Sequence, residues 1–128
     1  MGRVSTYSII ARDAGTGQMG AAVQSHYFSV GPIVPWAEAG VGAVCTQSLV
    51  DVSYGPLGIE AMREGQGAPE ALARLLAADE GRDVRQVAML DVSGRVAAHT
   101  GRRCIGDAGH VVGESFSVQA NMMDNTSI

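Results

Sequence analysis

The chain has 128 residues, 46% of them hydrophobic, which suffices for one globular domain with a core and excludes a disordered tract. Its net charge of −4 argues against non-specific nucleic-acid binding, which needs a basic face. All nine basic residues are arginine, so a Schiff-base lysine, a Ser-Lys dyad and a P-loop lysine are excluded within this chain.

Seventeen glycines punctuate many short elements. Residues 6–12 and 19–25 read as two strands of a hairpin, joined by Asp13-Ala14-Gly15-Thr16-Gly17, whose Asp and Gly suit the positive-φ positions of a turn. Neither strand alternates cleanly with charge, so both are expected to be buried on two faces. Residues 27–40 read as a loop containing Pro32, Pro35 and Trp36. A third strand spans 41–48 and ends in Thr46-Gln47-Ser48.

Two helices follow. The first is expected to start near Pro56 and end at Gly65, with Leu57, Ala61 and Met62 inward. The second runs from Ala68 to about Ala78, with Ala71, Leu72, Leu75, Leu76 and Ala78 inward. Residues 85–91 and 95–100 flank the turn Val92-Ser93-Gly94, and two more strands lie around 110–112 and 116–120. Strands, then helices, then strands imply an α+β layered sandwich with helices on an antiparallel sheet. No internal repeat or linker is visible.

Cys45 and Cys104 are far apart and form no CxxC, which reads as two buried thiols in a reducing compartment. The N-terminus lacks an apolar signal-like region and no apolar run is long enough for a bilayer. A cytoplasmic protein with no membrane or nucleic-acid partner is therefore expected. The three histidines, His26, His99 and His110, are too dispersed for a metal signature, and no metal or organic cofactor is expected.

Thr6 opens the first strand near the start of the polypeptide, where a hydroxyl beside a freed amine would form an N-terminal nucleophile. Five residues precede it, so its nitrogen is an amide in this sequence. Three possibilities follow: Ser5–Thr6 is cleaved, Thr6 uses another base, or Thr6 is a β-branched strand residue without a catalytic role. Ser25 could polarise the nucleophile or substrate, or cap its strand. His26 could tune proton transfer, or lie solvated in a loop. Gln47 could donate to an oxyanion or satisfy loop backbone, and Asn121 has the same two readings. Gln119 and Asn121 have the parity to share one face. Arg102 and Arg103 could bind a carboxylate, or pair with acids. Tyr54 could line a pocket or simply enter its helix.

Several motifs together resemble one family. They include Ser8-Ile9-Ile10-Ala11-Arg12-Asp13, Gln24-Ser25-His26-Tyr27-Phe28, Val34-Pro35-Trp36-Ala37-Glu38-Ala39-Gly40, Thr46-Gln47-Ser48 and Ser53-Tyr54-Gly55-Pro56. Further on come Arg85-Gln86-Val87, Thr100-Gly101-Arg102-Arg103-Cys104, Ala108-Gly109-His110 and Gln119-Ala120-Asn121-Met122. The chain is similar over almost its whole length to the bacterial family DUF1028, regarded as Ntn-hydrolase-like. The resemblance implies a four-layer αββα sandwich, of which this chain holds only the N-terminal part. It implies a companion C-terminal chain of the same polypeptide carrying the last strands and a second helical layer.

The expected function is hydrolysis of a C–N bond in a small amide or cyclic amide. Thr6, Ser25 and Gln47 would act in catalysis, and His26, Asn121, Arg103 and Tyr54 would bind substrate. Two alternatives stand beside it: a non-catalytic binding or assembly module, and a first subunit whose nucleophile begins the segment after Ile128. An incomplete sandwich also predicts a homo-oligomer.

Overall fold

The computed structural model describes residues 5–125 and Ser127; the extension ahead of Ser5 and the end at Ile128 lie outside them. Among the described residues, eight strands form two antiparallel four-stranded sheets. The first sheet contains β1 (Thr6–Arg12), β2 (Met19–Ser25), β7 (Asp107–Gly113) and β8 (Phe116–Met123), in the order β2-β1-β8-β7. The second contains β3 (Pro35–Glu38), β4 (Gly42–Ser48), β5 (Arg85–Asp91) and β6 (Val96–Thr100), in that order. Between β4 and β5 lie α1 (Tyr54–Arg63) and α2 (Ala68–Ala78), which pack on the outer face of the second sheet. The result is a β-rich sandwich with two helices from the middle of the chain.

β4 and β5 are covered on both faces, which is why they read as nearly continuous apolar runs. Val44, Val87 and Met89 face Ile59, Met62 and Leu72 of the helices. Alternate residues Ala43, Cys45, Ala88 and Leu90 face Ile10, Ala21 and Val23 of the other sheet. The space between the sheets is apolar at the Ile10 and Leu90 end. At its other end it is walled by Thr6, Ser8, Gln47, Gln86, Gln119 and Asn121, all buried, while buried Ser117 lies directly opposite Ile10 on β8.

β1 and β2 depart from the expected two-sided burial. Thr6, Ser8 and Ile10 point inward, but Tyr7 and Ile9 remain 47% and 41% exposed, because among the described residues no helix covers this face. The expected loop 27–40 contains β3, an edge strand whose first residue is Pro35, a position that tolerates a missing N–H.

α1 begins two residues before Pro56 and leaves Leu57 exposed. Gly55 and Gly58 face the sheet instead. A Cβ on Gly55 would lie 2.4 Å from the Trp36 ring, so the bare backbone lets the helix lie flat. In α2, Ala71 and Leu72 are buried, Leu75 and Leu76 partly so, and Ala78 is exposed. Cys104 is only half-buried, its thiol donating to the Arg85 carbonyl at 3.3 Å, while Cys45 is fully buried. No helix among the described residues is long and apolar enough to cross a membrane.

Candidate functional site

Thr6 sits where three strands meet: Ser25 lies directly opposite it on β2 and Asn121 directly opposite on β8. Directly opposed residues point to the same side of a sheet, so all three side chains turn inward. Thr6 Oγ1 and Ser25 Oγ share a hydrogen bond of 2.8 Å, and Ser25 Oγ also accepts the Tyr27 N–H at 3.0 Å. The pair adjoins a cavity of about 390 Å³ whose wall includes Thr6, Gln47 and Ser48 beside Val30, Ile33 and Leu49. Among the described residues, no carboxylate, arginine or histidine lines it.

Two residues on this wall are strained. Ser48 and Met122 have φ of 72° and 56°, a left-handed backbone that L-residues seldom adopt. Such strain concentrates at functional sites because it aims side chains that regular strand geometry would misdirect. Ser48 ends β4 in this way, and its hydroxyl is buried without a partner.

Behind the cavity lies a buried amide network. Gln86 Nε2 lies 2.9 Å from each of Thr100 Oγ1, Gly109 O and Ala120 O, its two N–H groups shared among the three acceptors. Its Oε1 accepts from Gln47 Nε2 at 2.8 Å and Asn121 Nδ2 at 3.0 Å. Gln47 Nε2 donates a second time, to Gln119 O at 3.3 Å. Gln119 Nε2 donates to Ser8 Oγ at 2.6 Å and its Oε1 accepts from Ser117 Oγ at 2.8 Å. Only Gln47 Oε1 and Asn121 Oδ1 are left without partners among these amides. Gln47 was expected to donate to an oxyanion; both its donations go to protein, and its free group is an acceptor.

The structure thus brings Thr6, Ser25, Gln47 and Asn121 together and leaves three expected substrate-binding residues elsewhere. His26 is exposed beyond β2, its N–H donating to the Ser5 carbonyl at 3.3 Å. Tyr54 is buried between the helices and the second sheet, its hydroxyl donating to Asp79 Oδ2 at 2.9 Å. Burial, and then the Asp79 carboxylate, push its phenol well above the usual range. Arg103 is exposed, its N–H held by the Asp83 carbonyl at 2.8 Å, and its neighbour Arg102 pairs with the Asp83 carboxylate.

Sequence reasoning passed over Ser48, Gln86 and Ser8 as site residues. Gln86 carried a signal: a lone glutamine heading the apolar run Val87-Ala88-Met89-Leu90 is one that must be satisfied inside. Near the network, burial and then His99 lower the His110 pKa, and His110 Nδ1 is hydrogen-bonded to Thr100 Oγ1 at 2.8 Å. Among the described residues no group of three or more His, Cys, Asp or Glu could hold a metal ion.

A family model described as "Family of unknown function (DUF1028)" matches residues 6–128. Among solved structures, the crystal structure of protein SPO2555 from Silicibacter pomeroyi, of the same family, matches with a TM-score of 0.89 and 29% identity. The match covers 94% of this chain and 54% of that one, so this chain spans about half its length. No curated protein matches.

Proposed function

Because the chain belongs to the DUF1028 family, whose function is unknown, we propose from its own geometry that it is an Ntn-type amidohydrolase with Thr6 as nucleophile. The carrying observation is the 2.8 Å hydroxyl pair Thr6–Ser25 beside an uncharged cavity. Thr6 Oγ adds to an amide carbonyl carbon, the C–N bond breaks, and the amine leaves with a proton. Water then hydrolyses the threonyl ester. The base is the Thr6 α-amine, freed by cleavage of the Ser5–Thr6 bond. Two contacts support that cleavage. The Ser5 carbonyl accepts the His26 N–H at 3.3 Å, and the Ser5 hydroxyl donates to Met122 O at 3.0 Å, so the residue ahead of the scissile bond is held in place beside Thr6. No cofactor takes part.

The exposed outer face of the first sheet supports a second element of the proposal. Tyr7, Ile9, Val111 and Phe116 leave it apolar, and the chain spans 54% of the solved relative. We assign this face to a further helical layer, making a four-layer αββα sandwich, supplied by a companion C-terminal segment or by a second copy. A binding or assembly module would use the same face with Thr6 uncleaved.

Intact mass and N-terminal sequencing test the processing: a species beginning at Thr6 is expected. Hydrolysis of aliphatic amides should disappear in Thr6→Ala. An unprocessed N-terminus, together with undiminished hydrolysis in that variant, removes Thr6 as nucleophile. A second polypeptide beginning with Thr, Ser or Cys would move the nucleophile beyond Ile128.

A further inference from the structure

The cavity beside Thr6 has two apolar walls, and the backbone fixes both. On one side the Val30 carbonyl accepts the N–H groups of Ile33 and Val34 at 3.0 and 2.9 Å, so a single turn sets all three side chains on the wall. Thr46 N–H donates to Val34 O at 3.0 Å and ties that turn to β4. On the other side the left-handed Ser48, with φ of 72°, ends β4 and brings Leu49 and Val50 to the wall. Leu49 is held at both backbone groups: its N–H donates to Val84 O at 3.2 Å, and its carbonyl accepts from Arg85 Nη1 at 2.7 Å. Walls fixed in this way bind a ligand at little ordering cost.

The lining carries no charge. Among the described residues its polar side chains are Thr6, Tyr27, Gln47 and Ser48, all neutral. Gln47 is buried and the Ser48 hydroxyl is closed off inside the protein, which leaves the hydroxyls of Thr6 and Tyr27 for a ligand to meet. Tyr27 is anchored beside Thr6, its N–H donating to the same Ser25 Oγ that pairs with the threonine hydroxyl. Tyr27 is 66% exposed and Leu49 49%, so both keep apolar surface in water that an entering chain would cover. A carboxylate or ammonium would shed its water there without a counter-charge. A volume of about 390 Å³ holds about a dozen groups of methylene or water size, at roughly 30 Å³ each, which is an amide with about six to nine carbons behind it.

We propose that this cavity takes an uncharged aliphatic chain of that length, the acyl side of the amide that Thr6 attacks. The substrate class is thus a medium-chain aliphatic acyl amide. The assignment rests on the hydrolase reading only in making the chain the acyl side. The acyl group stays on Thr6 after the amine has left, so walls that hold it serve both halves of the reaction.

The test measures binding of acetamide, butanamide and hexanamide to the full chain carrying Thr6→Ala, which prevents turnover, by ligand-observed NMR. Full burial tightens binding about fourfold per methylene. The four added methylenes should therefore give at least tenfold in a cavity partly open to water; a smaller gain overturns the proposal. Two chains of the same length with charged ends, 5-carbamoylpentanoate and 6-aminohexanamide, should bind at least tenfold more weakly than hexanamide. Equal or tighter binding of either overturns the uncharged lining as a selector. Leu49→Asp should weaken hexanamide several-fold and bring 6-aminohexanamide level with it; unchanged binding of both places the chain elsewhere and overturns the site. Should that variant not fold, Tyr27→Asp, at the more exposed wall position, serves in its place. Hydrolysis by the unsubstituted chain is read separately on two isomers, N-methylhexanamide and N-pentylacetamide. Faster cleavage of N-methylhexanamide is expected, and the opposite order overturns the acyl-side assignment. Cleavage of neither refutes turnover, and the acyl side with it, while a graded binding series leaves chain selection standing. Cleavage with a flat series does the reverse.

Discussion

Replacing Gln86 by leucine should cost far more than its modest change in volume. Gln86 is fully buried and its amide meets five hydrogen-bond partners, all lost in Gln86→Leu. The partners do not suffer equally. Thr100 Oγ1 keeps His110 Nδ1, and Gln47 Nε2 keeps Gln119 O. Asn121 is left worst, since its Oδ1 is already unpaired and its Nδ2 bonds only to Gln86 among the contacts described. A buried amide stripped of donors and acceptors costs about 1–3 kcal/mol, and the weaker losses add about 1 kcal/mol each before some return from the buried leucine. The expected total is about 3–4 kcal/mol, a large part of a domain's usual 5–15 kcal/mol. Urea unfolding followed by circular dichroism would show it. With a slope near 1.5 kcal/mol per molar, the midpoint falls by about 2–3 M at unchanged slope. A loss below about 1 kcal/mol, or a gain, would mean the amides are not paired as described.

Two further predictions concern groups away from the cavity. Asp91 supplies the cap that Gly67 cannot, accepting the Ala68 N–H at the start of α2 at 2.9 Å. It also accepts the Ser93 hydroxyl and N–H and the Arg95 N–H. Burial alone would raise its pKa, but these bonds and the Arg95 charge hold it below the ordinary carboxylate value. A depressed carboxylate stabilises the fold above its unfolded pKa of about 3.9, and that stability is lost as pH falls through the folded value. Asp91→Ala should cost about 2–3 kcal/mol near neutrality, and its melting temperature should fall less than that of the parent as pH drops below about 4. Equal acid sensitivity of the two proteins would contradict the assignment. Cys45 is fully buried, and burial pushes its thiol up to about 12. In the native protein it should resist iodoacetamide near pH 8 and become reactive in denaturant; rapid native alkylation mapped to Cys45 would show that the space between the sheets is open.

Period and punctuation made the long elements legible. α2, β4 and β5 declared themselves as apolar runs between glycines and prolines, and the structure has them within a residue of the expected bounds. β3 escaped because a four-residue edge strand beginning at Pro35 carries no alternation of its own. The exposed face of β1 also escaped, because Tyr7 and Ile9 are as apolar as inward residues and only tertiary context shows them uncovered. At the site, Thr6, Ser25, Gln47 and Asn121 were readable as polar residues at strand ends, and register brings them together. Tyr54 and Arg103 were plausible by residue type alone, and packing sends both away from the cavity. The orientation of the amides was not legible at all: it depends on Gly109 O and Ala120 O, backbone atoms whose position only the paired strands define.

The most direct test of Thr6 as nucleophile is peptide mapping by mass spectrometry after the full chain briefly meets p-nitrophenyl hexanoate, an activated acyl donor with an apolar tail, and is quenched in acid before water hydrolyses the threonyl ester. The account expects a single hexanoyl group on the peptide that contains Thr6, and none in Thr6→Ala. An acyl group on any other residue, or undiminished labelling of that variant, contradicts it.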